Sequence, residues 1–231
     1  MKKMIQIGFI LSMIFLSGIV FGQTEQPESK KINEDKRTAK TYLDLMINVV
    51  STNLNYGGEN NSLADFQKSA NGIQAGASFQ AGITPSFSLV TEVYYMRKGG
   101  KLEVNNPLTT NESSLRLHSI ELPILARFHL GKFYMNAGPC IAYNFSGNSK
   151  IAEVSTELSF TNSTKGFKRF EAGVQMGGGI EFPIKQSRIT LDIRYSHGIT
   201  NISYDKEIYN RGIIVSVHFS KPWKANPLGK N

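Results

Sequence analysis

The sequence predicts an all-β protein, an eight-stranded antiparallel up-and-down β-barrel that crosses a membrane. Three observations predict it. A period-two alternation of apolar residues recurs from Tyr42 to Phe219, and that period belongs to strands, not helices. The connections between the alternating stretches are short and long by turns, as the periplasmic turns and extracellular loops of a transmembrane barrel are. An export segment opens the chain, and no later run approaches the ~20 apolar residues of a spanning helix.

Lys2 and Lys3 precede an apolar run from Met4 to Val20, and Phe21-Gly22-Gln23 supplies a small residue for cleavage. Residues 1–22 are therefore read as a secretory signal peptide, against the weaker reading of an uncleaved anchor. Residues 23–40, QTEQPESKKINEDKRTAK, are nearly free of apolar side chains and are expected to form a flexible charged periplasmic leader. The barrel is assigned to 41–219 and a periplasmic tail to 220–231. Cys140 is the single cysteine, so no internal disulfide can form.

The first strand alternates Leu43, Leu45, Ile47 and Val49 with Asp44, Met46, Asn48 and Val50. Ile73 to Ile83 and Phe87 to Tyr95 follow. The most regular stretch, Ser119 to Phe145, reads as two strands about a turn at Gly131-Lys132. Phe170 to Phe182, Ile189 to Tyr195 and Ile213 to Phe219 complete the set. Thr84-Pro85-Ser86, Gly131-Lys132 and Pro183–Arg188 are the short connections. Residues 53–71, 99–114, 146–168 and 198–207 are the long ones. Pro123 removes a ladder donor inside a strand, so a bulge or local irregularity is expected there.

A soluble lipocalin-like barrel would alternate too, with its apolar face inward. The aromatics argue for lipid outside. Phe87, Phe128, Phe133, Phe182 and Phe219 gather at the short-turn end, and Tyr95, Tyr143, Phe170 and Tyr195 near the long loops. Ten residue steps from Phe133 to Tyr143, at ~3.3 Å each and a ~40° tilt, cover about 25 Å, the height of a lipid-facing band. The polar face then lines the lumen. It carries Asp44, Glu92, Glu121, Glu171, Glu181 and Asp192 against Arg127, Arg194, His129 and His218. Eight strands leave an interior just wide enough for side chains to fill, and buried ions must pair. A structural ion network that plugs the barrel is expected. Arg194 should face Gly177, and Arg127 should sit beside Asn136.

The net charge of +8 is scattered, with clusters at Lys30-Lys31, Lys36-Arg37, Arg97-Lys98-Lys101 and in the tail. With no basic stripe interleaved with aromatics, nucleic acid is an unfitting partner; basic loops near anionic lipid head groups fit better. Ser196 and His197 stand where small barrel lipases keep a Ser/His pair, but neighbours on a strand point to opposite faces, so no enzyme is expected. No metal-ligand spacing or phosphate loop is read, and no cofactor is expected.

The segments SIELPILARF, FYMNAGPCIAYNF, TEVYYMRKGGKL and TLDIRYSHGITNI resemble the PorT-like outer-membrane β-barrel family of Bacteroidetes. The resemblance is carried by Glu121, Pro123, Gly138, Arg194, Tyr195, Gly198, Ile199, Asn201 and Ile202, and covers Tyr42 to Phe219. It implies residence in the outer membrane of a Gram-negative bacterium, insertion by the barrel assembly machinery, and outer-membrane lipids as neighbours. For function it implies a non-enzymatic structural or interaction protein acting through its loops. An accessory part of a type IX secretion or other envelope complex is the alternative, with envelope or secretion proteins as partners. The tail beyond Phe219 departs from the family's terminal aromatic.

Overall fold

The structure is a computed structural model of the chain that describes residues 40–185 and 187–222. The export segment, residues 23–39 of the leader and residues 223–231 of the tail lie outside the described residues. Among the described residues nine strands are present. They are β1 (Tyr42–Tyr56), β2 (Gln67–Thr84), β3 (Phe87–Leu102), β4 (Ser113–Leu130), β5 (Phe133–Ile151), β6 (Val154–Glu157), β7 (Phe170–Ile184), β8 (Ser187–Gly198) and β9 (Ile208–Pro222). A 3-10 helix, Gly58–Phe66, joins β1 to β2.

Eight of the nine close a barrel. Each long strand pairs antiparallel with the next, and β9 returns to β1 from Tyr42↔Pro222 to Tyr56↔Ile208. The four-residue β6 is a flap that pairs only with the far end of β5. A closed ring leaves no long unpaired edge, the condition for backbone to stand in hydrocarbon.

The burial pattern is inverted relative to a soluble protein. Leu45 and Ile47 are 68 % and 65 % exposed, while Asp44 between β1's neighbours is fully buried. The nine aromatics named above line the same outer wall, among them Phe133, Phe170 and Phe219, which are strongly exposed. A wall of exposed Leu, Ile, Val and Phe is far larger than any apolar patch a soluble monomer tolerates. Lipid faces it.

Three expectations are corrected. The strands outrun the alternating stretches: β3 and β5 extend to Leu102 and Ile151, and Pro183 pairs with Arg188 instead of turning. β9 also carries Ser220 to Pro222, so the first residues assigned to the tail belong to the barrel. The register runs straight through Pro123, which pairs with Cys140. On its other side the ladder skips two pairs, and Thr91↔Ile124 and Tyr94↔Glu121 keep one register. The shift falls instead between His118 and Ser119, where β5 has Phe145 as an extra residue. A proline whose missing donor costs one ladder bond needs no bulge; a barrel corner near the loops does use one.

Candidate functional site: the filled lumen and its cap

Inward-pointing side chains stack in layers from the short-turn end to the long loops. Lowest lies Arg188. Its Nη1 donates to Glu181 Oε1 at 2.6 Å, its Nη2 reaches Gln80 Oε1 at 3.1 Å and Asp44 Oδ2 at 3.6 Å, and its guanidinium stacks 3.8 Å over the Tyr42 ring. Arg127 shares Gln80 Oε1 at 2.9 Å and lies 4.0 Å over Tyr134. No carboxylate stands within ion-pair distance of Arg127 among the described residues, so amide and ring partners replace the acid expected for it. His129 Nε2 is 2.9 Å from Ser88 Oγ, and His218 Nδ1 is 3.7 Å from Asp44 Oδ2.

The middle layer is centred on Arg194. Its Nη1 donates to Glu92 Oε2 at 2.8 Å and its Nε to Asp192 Oδ1 at 2.6 Å, all three side chains sealed from solvent. Tyr134 Oη and Asn136 Nδ2 donate to the other Asp192 oxygen at 2.6 and 3.1 Å. The register sets Arg194 opposite Gly177 and Arg127 opposite Asn136. Room for this layer comes from glycine. A Cβ at Gly179 would lie 2.4 Å from Tyr134 Oη and 2.3 Å from the Leu191 carbonyl; one at Gly177 would meet Arg194 Cγ at 2.7 Å. Gly179→Val is expected to lower barrel stability by about 1–3 kcal/mol through overpacking, read as an earlier midpoint in urea unfolding from vesicles; an unchanged midpoint would refute this packing.

Met46, Val50, Tyr94, Met96 and Ile214 form an apolar layer next. Beyond it Lys98 is held between two acids, its Nζ 2.6 Å from Glu121 Oε1 and 2.7 Å from Glu171 Oε2. Asn210 Nδ2 donates to both Glu171 oxygens at 3.0 Å, and Tyr94 Oη to Glu121 at 3.1 Å. The space left beside Lys98 is about 20 Å³, room for about one water.

Lys98 and Arg188 are lumen cations that sequence reasoning missed. Lys98 belongs to a basic cluster assigned to a loop near head groups, and Arg188 to a turn. The signal for Lys98 is present: Tyr94, Met96 and Lys98 share parity with Glu92.

The long-loop end is closed by apolar side chains. Leu54, Tyr56, Leu63, Leu102, Leu117, Ile202 and Ile208 are buried together, with Phe66, Leu115, Leu158, Phe160 and Phe167 packed against them. Asn201 helps to build this cap: its Oδ1 accepts from the Ser203 and Ile208 amides, both at 3.0 Å. Gly198 ends β8 opposite Gly173, and Gly138 lies so close to β4 that a Cβ would meet the Ile124 carbonyl at 1.9 Å. Above the cap a recess of about 240 Å³ opens toward the loops, with Lys101, Lys165, Asp205 and Lys206 among its lining. Bonded by Lys101, the Glu112 carboxyl in the neighbouring loop is held below its ordinary pKa.

Ser196 lines the lumen cavity, whereas His197 pairs with the outward Tyr195 ring at 6.1 Å. They do not form a nucleophile pair. Among the described residues no group of three His, Cys, Asp or Glu side chains converges on a metal-sized site.

Solved outer-membrane barrels share this chain's outline at low identity. Neisserial surface protein A aligns over 77 % of this chain and 95 % of its own with 14 % identity and a TM-score of 0.46. OprG of Pseudomonas aeruginosa aligns over 81 % and 97 % with 8 % identity and a TM-score of 0.46. Ail of Yersinia pestis aligns over 78 % and 99 % with 10 % identity and a TM-score of 0.43. No curated protein matches the chain significantly. The family model described as "Outer membrane protein beta-barrel domain" matches residues 19–204, most of the chain, and with the closed ring and lipid-facing wall it assigns the protein to the outer membrane of a Gram-negative bacterium. The chain belongs to the outer membrane protein beta-barrel domain family.

Proposed function

We propose that the protein is a non-enzymatic structural or interaction barrel that works through its long connections and does not conduct. The observation that carries this reading is the filled lumen: three ionic layers and an apolar one lie under a cap in which loop side chains pack onto the strand ends. A barrel whose interior is spent on packing has its surface left to act with. The recess above the cap, amphipathic and rimmed by lysines, is the concave part of that surface. Purified protein in a planar bilayer is expected to show no steady unitary conductance; openings of several hundred picosiemens would sink the plug.

Residues 1–22 are proposed as a cleaved signal peptide, with the leader and tail in the periplasm and the long loops outside. The PorT-like assignment within the family rests on the IELP, RYSHG and TNI segments. Service as an accessory of type IX secretion is the second reading. Deleting the gene and measuring protein export separates them, since an inert or adhesive surface barrel leaves export unchanged.

A further inference from the structure

A set of arginines on the outer wall has no part in the lumen. Arg97 stands two residues beyond the belt residue Tyr95 and pairs across to His118. Arg116 stands two residues beyond His118, and Arg97 and Arg116 are close enough to repel each other. Arg169 immediately precedes the belt residue Phe170.

Two of these side chains are positioned by neutral groups. Arg116 Nη1 donates to the Asn71 carbonyl at 2.8 Å. Arg169 Nη1 donates to the Phe145 carbonyl at 3.3 Å, with its guanidinium 4.9 Å from the Phe160 ring centroid. Between them lies an aromatic platform. Tyr95 Oη and His118 Nδ1 are 2.6 Å apart, and the Phe145 ring sits 6.3 and 6.2 Å from those two rings. Phe145 faces outward in alternation with Ile141 and Tyr143, and it is the extra residue of the β5 bulge.

No carboxylate pairs with any of the three arginines among the described residues. The lysines at the loop ends of β2, β3 and β5 differ: Lys68, Lys101 and Lys150 pair with Glu103, Glu112 and Glu153. Three cations without a counter-charge among the described residues, two of them oriented, stand one pleat beyond the tyrosine belt at head-group depth. Guanidinium forks match phosphate oxygens, and holding them in place beforehand lowers the entropic cost of binding. Below them Ile120, Leu122 and Ile141 offer an exposed apolar wall that a free anion would not use.

We propose that Arg97, Arg116 and Arg169 form a clamp for the phosphorylated head group of an outer-leaflet glycolipid, whose acyl chains lie along β4 and β5. The proposal rests on the long-loop end facing outward. Protease cleavage of intact cells within residues 146–168 tests that orientation alone.

For the clamp itself, the full chain is placed in phosphatidylcholine nanodiscs and titrated with rough lipopolysaccharide, native or enzymatically dephosphorylated. Retained lipid is read by native mass spectrometry. R97Q/R116Q/R169Q is expected to bind the phosphorylated lipid at least about tenfold more weakly than wild type. The two proteins should hold the dephosphorylated lipid alike. K68Q/K101Q/K150Q, which removes as much charge from the strand ends at the same mouth, should bind as wild type does. Equal retention by the arginine variant overturns the clamp, and so does an equal loss in the lysine variant. Displacement by millimolar inorganic phosphate, or equally tight retention of phosphatidylglycerol, would reassign the site and overturn the glycolipid. Heat-modifiable gel mobility of each variant certifies the closed barrel.

Discussion

Arg194→Met is expected to cost the barrel about 3–5 kcal/mol. The substitution keeps the volume and removes the only cation among the described residues in contact with Glu92 and Asp192, both fully enclosed. Two enclosed carboxylates are then left without a cation in contact. Neither can be rehydrated without opening the cap or the ring. Urea unfolding from phospholipid vesicles, followed by gel mobility, should show the midpoint falling sharply. The triple variant E92Q/D192N/R194M removes all three charges together and should recover most of the loss, because the large term is the orphaned charge and not the missing attraction. A triple variant as unstable as R194M would place the energy in packing instead.

One residue earlier, the same chemistry should be punished for the opposite reason. Ile193 points outward and is 59 % exposed on the apolar band. Ile193→Arg would set a guanidinium against acyl chains, at about 2–4 kcal/mol for mid-bilayer depth. Ile199→Arg, in the loop after β8, should cost close to nothing. The contrast between adjacent positions, one intolerant of arginine and the other dependent on it, tests which face meets lipid. If Ile193→Arg assembles and unfolds like wild type, the faces are assigned wrongly.

Much of this is written in single residues. Asp44 between Leu43 and Leu45, or Asp192 between Leu191 and Ile193, reveals both the strand and its two environments, because a barrel wall is one side chain thick. Registers across tight turns follow from the turns: once Leu130 meets Phe133, Arg127 must meet Asn136. What was illegible depends on distance in the chain. Glu171 reaches Lys98 from across the lumen, 73 residues away, and no local pattern announces that. Arg97-Lys98 reads as a basic loop because charge density is easier to see than parity. The cap is hidden for a similar reason. Leu63, Leu158 and Ile202 are isolated apolar residues in polar loops, and only their convergence gives them meaning. Pro123 looked like the irregularity because proline advertises itself, while the true bulge, at Phe145, has no residue-level flag.

The cap also divides labour along each loop. Residues such as Leu63, Phe160 and Ile202 pack into the cap, whereas Thr110, Asn111, Glu153 and Ser155 are exposed at the tips. Sequence drift at the tips therefore meets little resistance from folding, and the barrel can exchange its outward identity, epitope by epitope, while the same inward anchors keep the mouth shut.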